Sequence, residues 1–103
     1  MTTRVVITRQ VRDFLKSLAP EPRRKVWQAI KGLAQGKGNV RQLEAKLAPN
    51  WRLRADRIRV IYYETTAPGG VRQLICFFAD YRATVYAVLE QLIASDFLEQ
   101  LRN

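Results

Sequence analysis

A chain of 103 residues, 48% hydrophobic and 26% charged, has the size and composition of one globular domain with a single core, which argues against disorder. It has no histidine and one cysteine, Cys76, which excludes a disulfide framework, nearly all zinc sites, and Ser–His or Cys–His chemistry. The longest apolar run, Leu74–Ala79, is too short to cross a bilayer, and MTTRVVITRQ holds no signal-peptide core, so a cytoplasmic protein with no membrane, metal or cofactor is expected.

Residues 4–8 (RVVIT) read as a short strand. From Arg9 to Ala19, Val11, Phe14, Leu15 and Leu18 recur at helical spacing, with Thr8 placed as N-cap and Arg9, Arg12 and Lys16 on the other side. Ala19–Pro22 breaks that helix and starts a second, because proline fits a first helical turn. Val26, Ile30, Leu33 and Ala34 form the second apolar stripe, Gly36 and Gly38 end it, and the pair makes an αα-hairpin. Arg23, Arg24 and Lys25 sit in the first turn of the second helix, where the dipole disfavours cations by about 0.3–1 kcal/mol each. Singly they are tolerable; as a trio they suggest a contact surface.

Residues 39–49 read as a connecting loop. Three strands follow at 50–55, 58–64 and 71–79, with AlaProGlyGly at 67–70 as a turn. The continuous apolar run of the last strand suits burial on both faces. After AspTyrArg at 80–82 a final helix starts near Thr84, striped by Val85, Val88, Leu89, Leu92 and Ile93, and Asp96 with Glu99 could restart a short helix. The order β-α-α-β-β-β-α predicts one α+β domain over residues 1–103, an antiparallel sheet packed with an N-terminal helical hairpin and a C-terminal helix.

Charge is distributed unevenly along these elements. The net charge is +9, with 15 Lys/Arg against 4 Asp/Glu in residues 1–59 and 3 against 5 in residues 60–103. Thirteen of the 18 basic residues are arginine, whose planar fork suits phosphate, so a polyanion partner is expected rather than a charge that only confers solubility. The stretch NWRLRADRIRVIYY (50–63) concentrates the excess. A hairpin turning at Asp56–Arg57 would set Trp51 opposite Tyr62, Leu53 opposite Val60 and Arg54 opposite Arg59. The apolar pairs would face one side and Arg52, Arg54 and Arg59 the other, with Arg52 and Arg54 about 7 Å apart. Like charges directly opposite one another cost stability. An anion lying across the face would relieve that cost, though a solvated face would read the same way.

With DYRATVY (80–86) added, the chain resembles the RelE/ParE superfamily of bacterial toxins, the toxin halves of type II toxin–antitoxin pairs. The resemblance runs through the opening strand, the hairpin segment LAPEPRRKVWQAIKGLAQG, the block LEAKLAPNWRLRADRIRVIYY and the closing YRATVY. In the RelE branch it implies metal-independent cleavage of mRNA in the ribosomal A site, by attack of a 2′-hydroxyl on the neighbouring phosphate. It also implies a cognate antitoxin as protein partner. Arg52 and Arg54 match the family's paired basic positions, where lysine is common; Arg59 matches the arginine of the next strand; Arg82 and Tyr86 match the closing arginine and tyrosine. Asp56–Arg57 stand where the family usually has a turn glycine.

The chemistry fits those residue types. In-line transphosphorylation builds negative charge that guanidinium groups stabilise, and it needs proton transfer at the attacking and leaving oxygens. With no histidine, Tyr86 is the candidate for proton transfer, although its place at the start of an amphipathic helix equally suits a core residue. Arg23, Arg24, Lys25, Arg57 and Tyr81 are candidate RNA contacts, Tyr81 either stacking on a base or packing at the surface. Two alternatives remain: a ParE-like, non-enzymatic inhibitor of DNA gyrase, and a nucleic-acid-binding module without toxicity.

Overall fold

A computed structural model describes residues 2–95. Strand β1 (Thr3–Ile7) leads into helices α1 (Arg9–Ser17) and α2 (Pro20–Gly32), followed by β2 (Asn39–Gln42), β3 (Trp51–Ala55), β4 (Ile58–Thr66), β5 (Arg72–Tyr81) and α3 (Val85–Ala94). The strands form one sheet in the order β1-β5-β4-β3-β2.

Two expectations about the sheet need correction. First, the sheet is mixed, because β1 pairs with β5 in parallel, Thr3 opposite Arg72 through Ile7 opposite Cys76. Parallel neighbours need a long crossover, and everything from α1 to β4 serves as one. Second, the supposed loop contains β2, which pairs antiparallel with β3 from Asn39–Arg54 to Gln42–Trp51, and a single 3₁₀ turn at Ala45–Leu47. All four β2 residues are exposed and only Val40 is apolar, so the strand is held by its backbone ladder and carries no hydrophobic alternation to read. The restart at Asp96 and Glu99 lies outside the described residues.

The β3–β4 hairpin adopts the expected register: Trp51 faces Tyr62, Leu53 faces Val60 and Arg54 faces Arg59. Asp56 takes the left-handed conformation of the turn (φ 57°), which aspartate tolerates better than most residues. Leu53 and Val60 are wholly buried between the sheet and the helical hairpin, with Val11, Leu15, Val26, Ile30, Leu74, Cys76 and Ala79. A Leu-to-Ala truncation at such a site costs about 2–5 kcal/mol. On the opposite face Ile61, Phe77 and Phe78 pack with Val85 and Leu89 of α3 and with Leu43 and Leu47. Two successive phenylalanines reach that one layer because the β4–β5 ladder slips between Ile61–Phe78 and Tyr62–Cys76, leaving Phe77 as the extra residue of a bulge.

Side chains also join the elements. Thr8 occupies the cap position of α1, yet its hydroxyl donates to the Phe77 carbonyl (3.2 Å) rather than accepting from the helix. Gln10 continues the edge of β5: its amide donates to the Ala79 carbonyl (2.9 Å) and accepts from the Ala79 N–H (2.8 Å). Arg23 folds back on the end of α1, its Nε donating to the Leu15 carbonyl (3.0 Å) and its Nη2 to those of Leu18 (2.8 Å) and Lys16 (3.2 Å). The guanidinium thereby satisfies the orphan carbonyls of α1.

Candidate functional site

Strand register builds the site. At one level across the sheet stand Asn39, Arg54, Arg59 and Asp80, and at the next Arg41, Arg52, Ile61 and Phe78. Residues directly opposite in an antiparallel ladder point to the same face, so these side chains share the α3 side. Arg41 is the residue sequence reasoning missed: with 39–49 read as a loop, nothing showed that it sits opposite Arg52.

Arg59 is the fixed point of this face. It is 9% exposed, and its Nη1 donates to the carbonyls of Asp56 (2.7 Å) and Ile58 (3.1 Å). Its pKa is lowered, first by burial and then by Arg54, with Arg52 and Arg82 adding to the effect and Tyr86 opposing it. The same interactions show that all four groups lie within electrostatic reach of one guanidinium. Arginine remains charged at any physiological pH, so the lowered value reports the cost of holding a buried charge, with repulsion from Arg54, Arg52 and Arg82 added to it, rather than a titration.

Among the described residues, that repulsion has no local remedy. The ion pairs among the described residues are Lys25–Glu21 (3.8 Å) and Arg72–Glu64, and neither touches the row. Asp80, directly opposite Arg59 in register, accepts instead from the Thr84 hydroxyl (2.8 Å). Arg52 reaches Asn39 Oδ1 through Nη1 at 3.4 Å, while its Nε is buried with no acceptor among the described residues. A buried, unpaired, charged donor among three further cations is a site that an anion would complete.

The remaining candidates divide between this face and others. The Arg82 amide donates to the Arg57 carbonyl (2.8 Å), which pins the start of the closing block to the β3–β4 turn. Tyr86, half-buried on the first turn of α3, lines a cleft of about 350 Å³ with Arg41, Gln42, Leu43, Glu44 and Leu47. Tyr81 lies on the far side of the sheet, 48% exposed, its ring 5.4 Å from that of Phe14 and edge-on to it. Lys25 and Arg57 line a second cleft with Tyr81. Arg23 is committed to the α1 carbonyls, and Arg24 lines a separate groove beside Trp27. Arg52, Arg54, Arg59, Arg82 and Tyr86 therefore converge, whereas Arg23, Arg24, Lys25 and Tyr81 stand apart from them. Among the described residues no three His, Cys, Asp or Glu side chains gather to hold a metal, and no helix is long and apolar enough to cross a membrane.

No family model matches this chain, and no curated protein matches it. A solved structure does. A chain of the toxin–antitoxin complex RelBE2 from Mycobacterium tuberculosis superimposes with a TM-score of 0.64 over 80% of this chain and 100% of that one, at 20% sequence identity. At that identity the likeness concerns architecture: this chain has the RelE-like α+β fold.

Proposed function

We propose that this chain is the toxin of a type II toxin–antitoxin pair and acts in the cytoplasm as a ribosome-dependent mRNA endoribonuclease. One observation carries the reading: three arginines with no carboxylate partner among the described residues act on the buried guanidinium of Arg59 beside Tyr86, on a fold shared with a chain of a toxin–antitoxin complex. In the reaction a 2′-oxygen forms a bond to the adjacent phosphorus while the bond to the 5′-oxygen breaks. The 2′-hydroxyl proton leaves to a base and a proton reaches the departing 5′-oxygen, which gives a 2′,3′-cyclic phosphate and a 5′-hydroxyl end. Arg52, Arg54, Arg59 and Arg82 bind the phosphate and stabilise the charge that grows on its oxygens, as preorganised donors in a repulsive cluster do most effectively. Tyr86 handles a proton. Arg41 extends the cationic row toward the Tyr86 cleft and holds a flanking phosphate.

The partner that restrains such a chain is an antitoxin with an acidic, partly disordered segment that folds on binding. Co-expression with the neighbouring gene yields a tight complex, and recovery of the chain alone in high yield from unharmed cells counts against the toxin reading. Pulse-labelling after induction separates the targets: protein synthesis stops before DNA synthesis if mRNA is cut. DNA synthesis stopping first, with accumulation of gyrase–DNA cleavage complexes, supports the ParE-like reading instead.

A further inference from the structure

The cleft that gathers Lys25, Arg57 and Tyr81 has no part in the transphosphorylation outlined above. It measures about 510 Å³ and lies between the α1–α2 turn and the β3–β4 turn, on the face of the sheet away from the arginine row. Leu18, Val26 and Ile58 give it a buried apolar floor. Tyr81 forms one wall, 48% exposed, with its ring held by the edge contact to Phe14. The volume falls in the range of small-molecule pockets. An apolar slot with a fixed aromatic wall and cations at its mouth suits an unpaired base whose phosphates lie on the rim.

Continuity with the arginine row selects the ligand. Arg57 lines this cleft, and its carbonyl holds the amide of Arg82, which acts on Arg59 from the other face. The β3–β4 turn is thus a corner shared by both surfaces, with a cation on each side. We infer that the cleft is a base-binding subsite for the same RNA strand, which bends around this corner so that a nucleotide flanking the scissile phosphate stacks on Tyr81. Asp56, the one carboxylate of the lining, offers an acceptor to an exocyclic amine of that base. The inference rests on the nuclease reading and adds to it a contact outside the reacting groups.

A short single-stranded RNA carrying 2-aminopurine, and the same RNA with that base replaced by an abasic site, test it on the purified chain by anisotropy and base fluorescence, with a melting curve for each variant. Tyr81→Ala weakens binding of the intact RNA by about 5- to 150-fold and adds no penalty with the abasic RNA. Tyr81→Phe keeps the ring against Phe14 and binds like the unaltered chain. Photocrosslinking of a 4-thiouridine RNA to the unaltered chain labels the peptide containing Tyr81, a readout independent of how any variant folds. If Tyr81→Ala melts normally and binds RNA unchanged while Arg54→Ala loses affinity and salt dependence, the subsite is overturned and the arginine face stands. If the unaltered chain binds the intact and the abasic RNA alike and the crosslink falls outside the Tyr81 peptide, the subsite is overturned, while the nuclease reading stands or falls by cleavage on mRNA-loaded ribosomes.

Discussion

Replacing Arg54 by glutamine should make this protein more stable and less active at once. Arg54 has no hydrogen bond or ion pair among the described residues, and it stands directly opposite Arg59. Arg59 cannot swing away, because Asp56 and Ile58 hold it by their carbonyls. Arg54 is also the largest charged contributor to the lowered Arg59 pKa. Coulomb's law at an effective dielectric of about 20 sets a ceiling near 4 kcal/mol for charges about 4 Å apart. Solvent exposure of Arg54 and a screening length of about 10 Å at 0.1 M salt reduce a facing like-charged pair to about 0.2–1 kcal/mol. For a domain of this size that is a rise in Tm of about 1–4 °C in low salt, shrinking toward zero at about 1 M, where the screening length is about 3 Å. RNA cleavage by the same variant falls by about 10²–10³-fold, the usual cost of removing one preorganised donor. Thermal melts at two salt concentrations, run beside a cleavage assay, measure both quantities. A Tm that falls, or a gain that ignores salt, refutes the claim that this face stores repulsion.

Tyr86→Phe keeps the ring packed against the Leu43, Leu47 and Ile61 cluster and loses the hydroxyl, so its melting curve stays normal while cleavage falls by about 10²–10⁴-fold; cleavage at the unaltered rate makes Tyr86 a packing residue. Arg23→Ala frees the carbonyls at the end of α1 and lowers stability by about 1–3 kcal/mol in chemical denaturation, with RNA affinity unchanged; an affinity loss without a stability loss returns Arg23 to the RNA surface. Arg72→Ala, which breaks the pair with Glu64 outside the arginine row, leaves cleavage unchanged. Burial raises the Cys76 thiol from 9.0 to about 12 and also raises Tyr62. Both acids are held neutral by the fold, so their contribution is fully present below pH 9 and is lost as the pH climbs through the folded values. Stability therefore declines between about pH 9 and 12, and Cys76 resists alkylation until the chain unfolds.

The parts of this protein that could be read from sequence are those whose signal is local. The Asp56–Arg57 gap between two alternating runs determined the hairpin register, and with it the shared face of Arg52, Arg54 and Arg59. Strand β2 was hidden because its pairing rests on backbone groups and all its side chains are exposed, and Arg41 was hidden with it. The parallel partner of β1 was not legible either, since no residue of a strand records which distant strand it will meet. The face of Tyr81 was not legible, because the last strand was read as ending at residue 79; β5 runs on to Tyr81, its neighbour Asp80 stands opposite Arg59, and Tyr81 therefore faces the helical hairpin. Arg23 looked like a surface charge at a helix start because its partners are main-chain carbonyls of the preceding helix, which carry no side-chain signature.

The central claim, that the arginine row and Tyr86 cut RNA, is tested most directly by incubating the purified chain with mRNA-loaded ribosomes and determining the cut ends. Primer extension should map discrete cuts within the A-site codon. The upstream fragment should end in a 2′,3′-cyclic phosphate and the downstream fragment should begin with a 5′-hydroxyl, with Arg59→Ala abolishing both. Intact mRNA under conditions where the chain remains folded, or cuts that persist undiminished in Arg59→Ala, would contradict the claim.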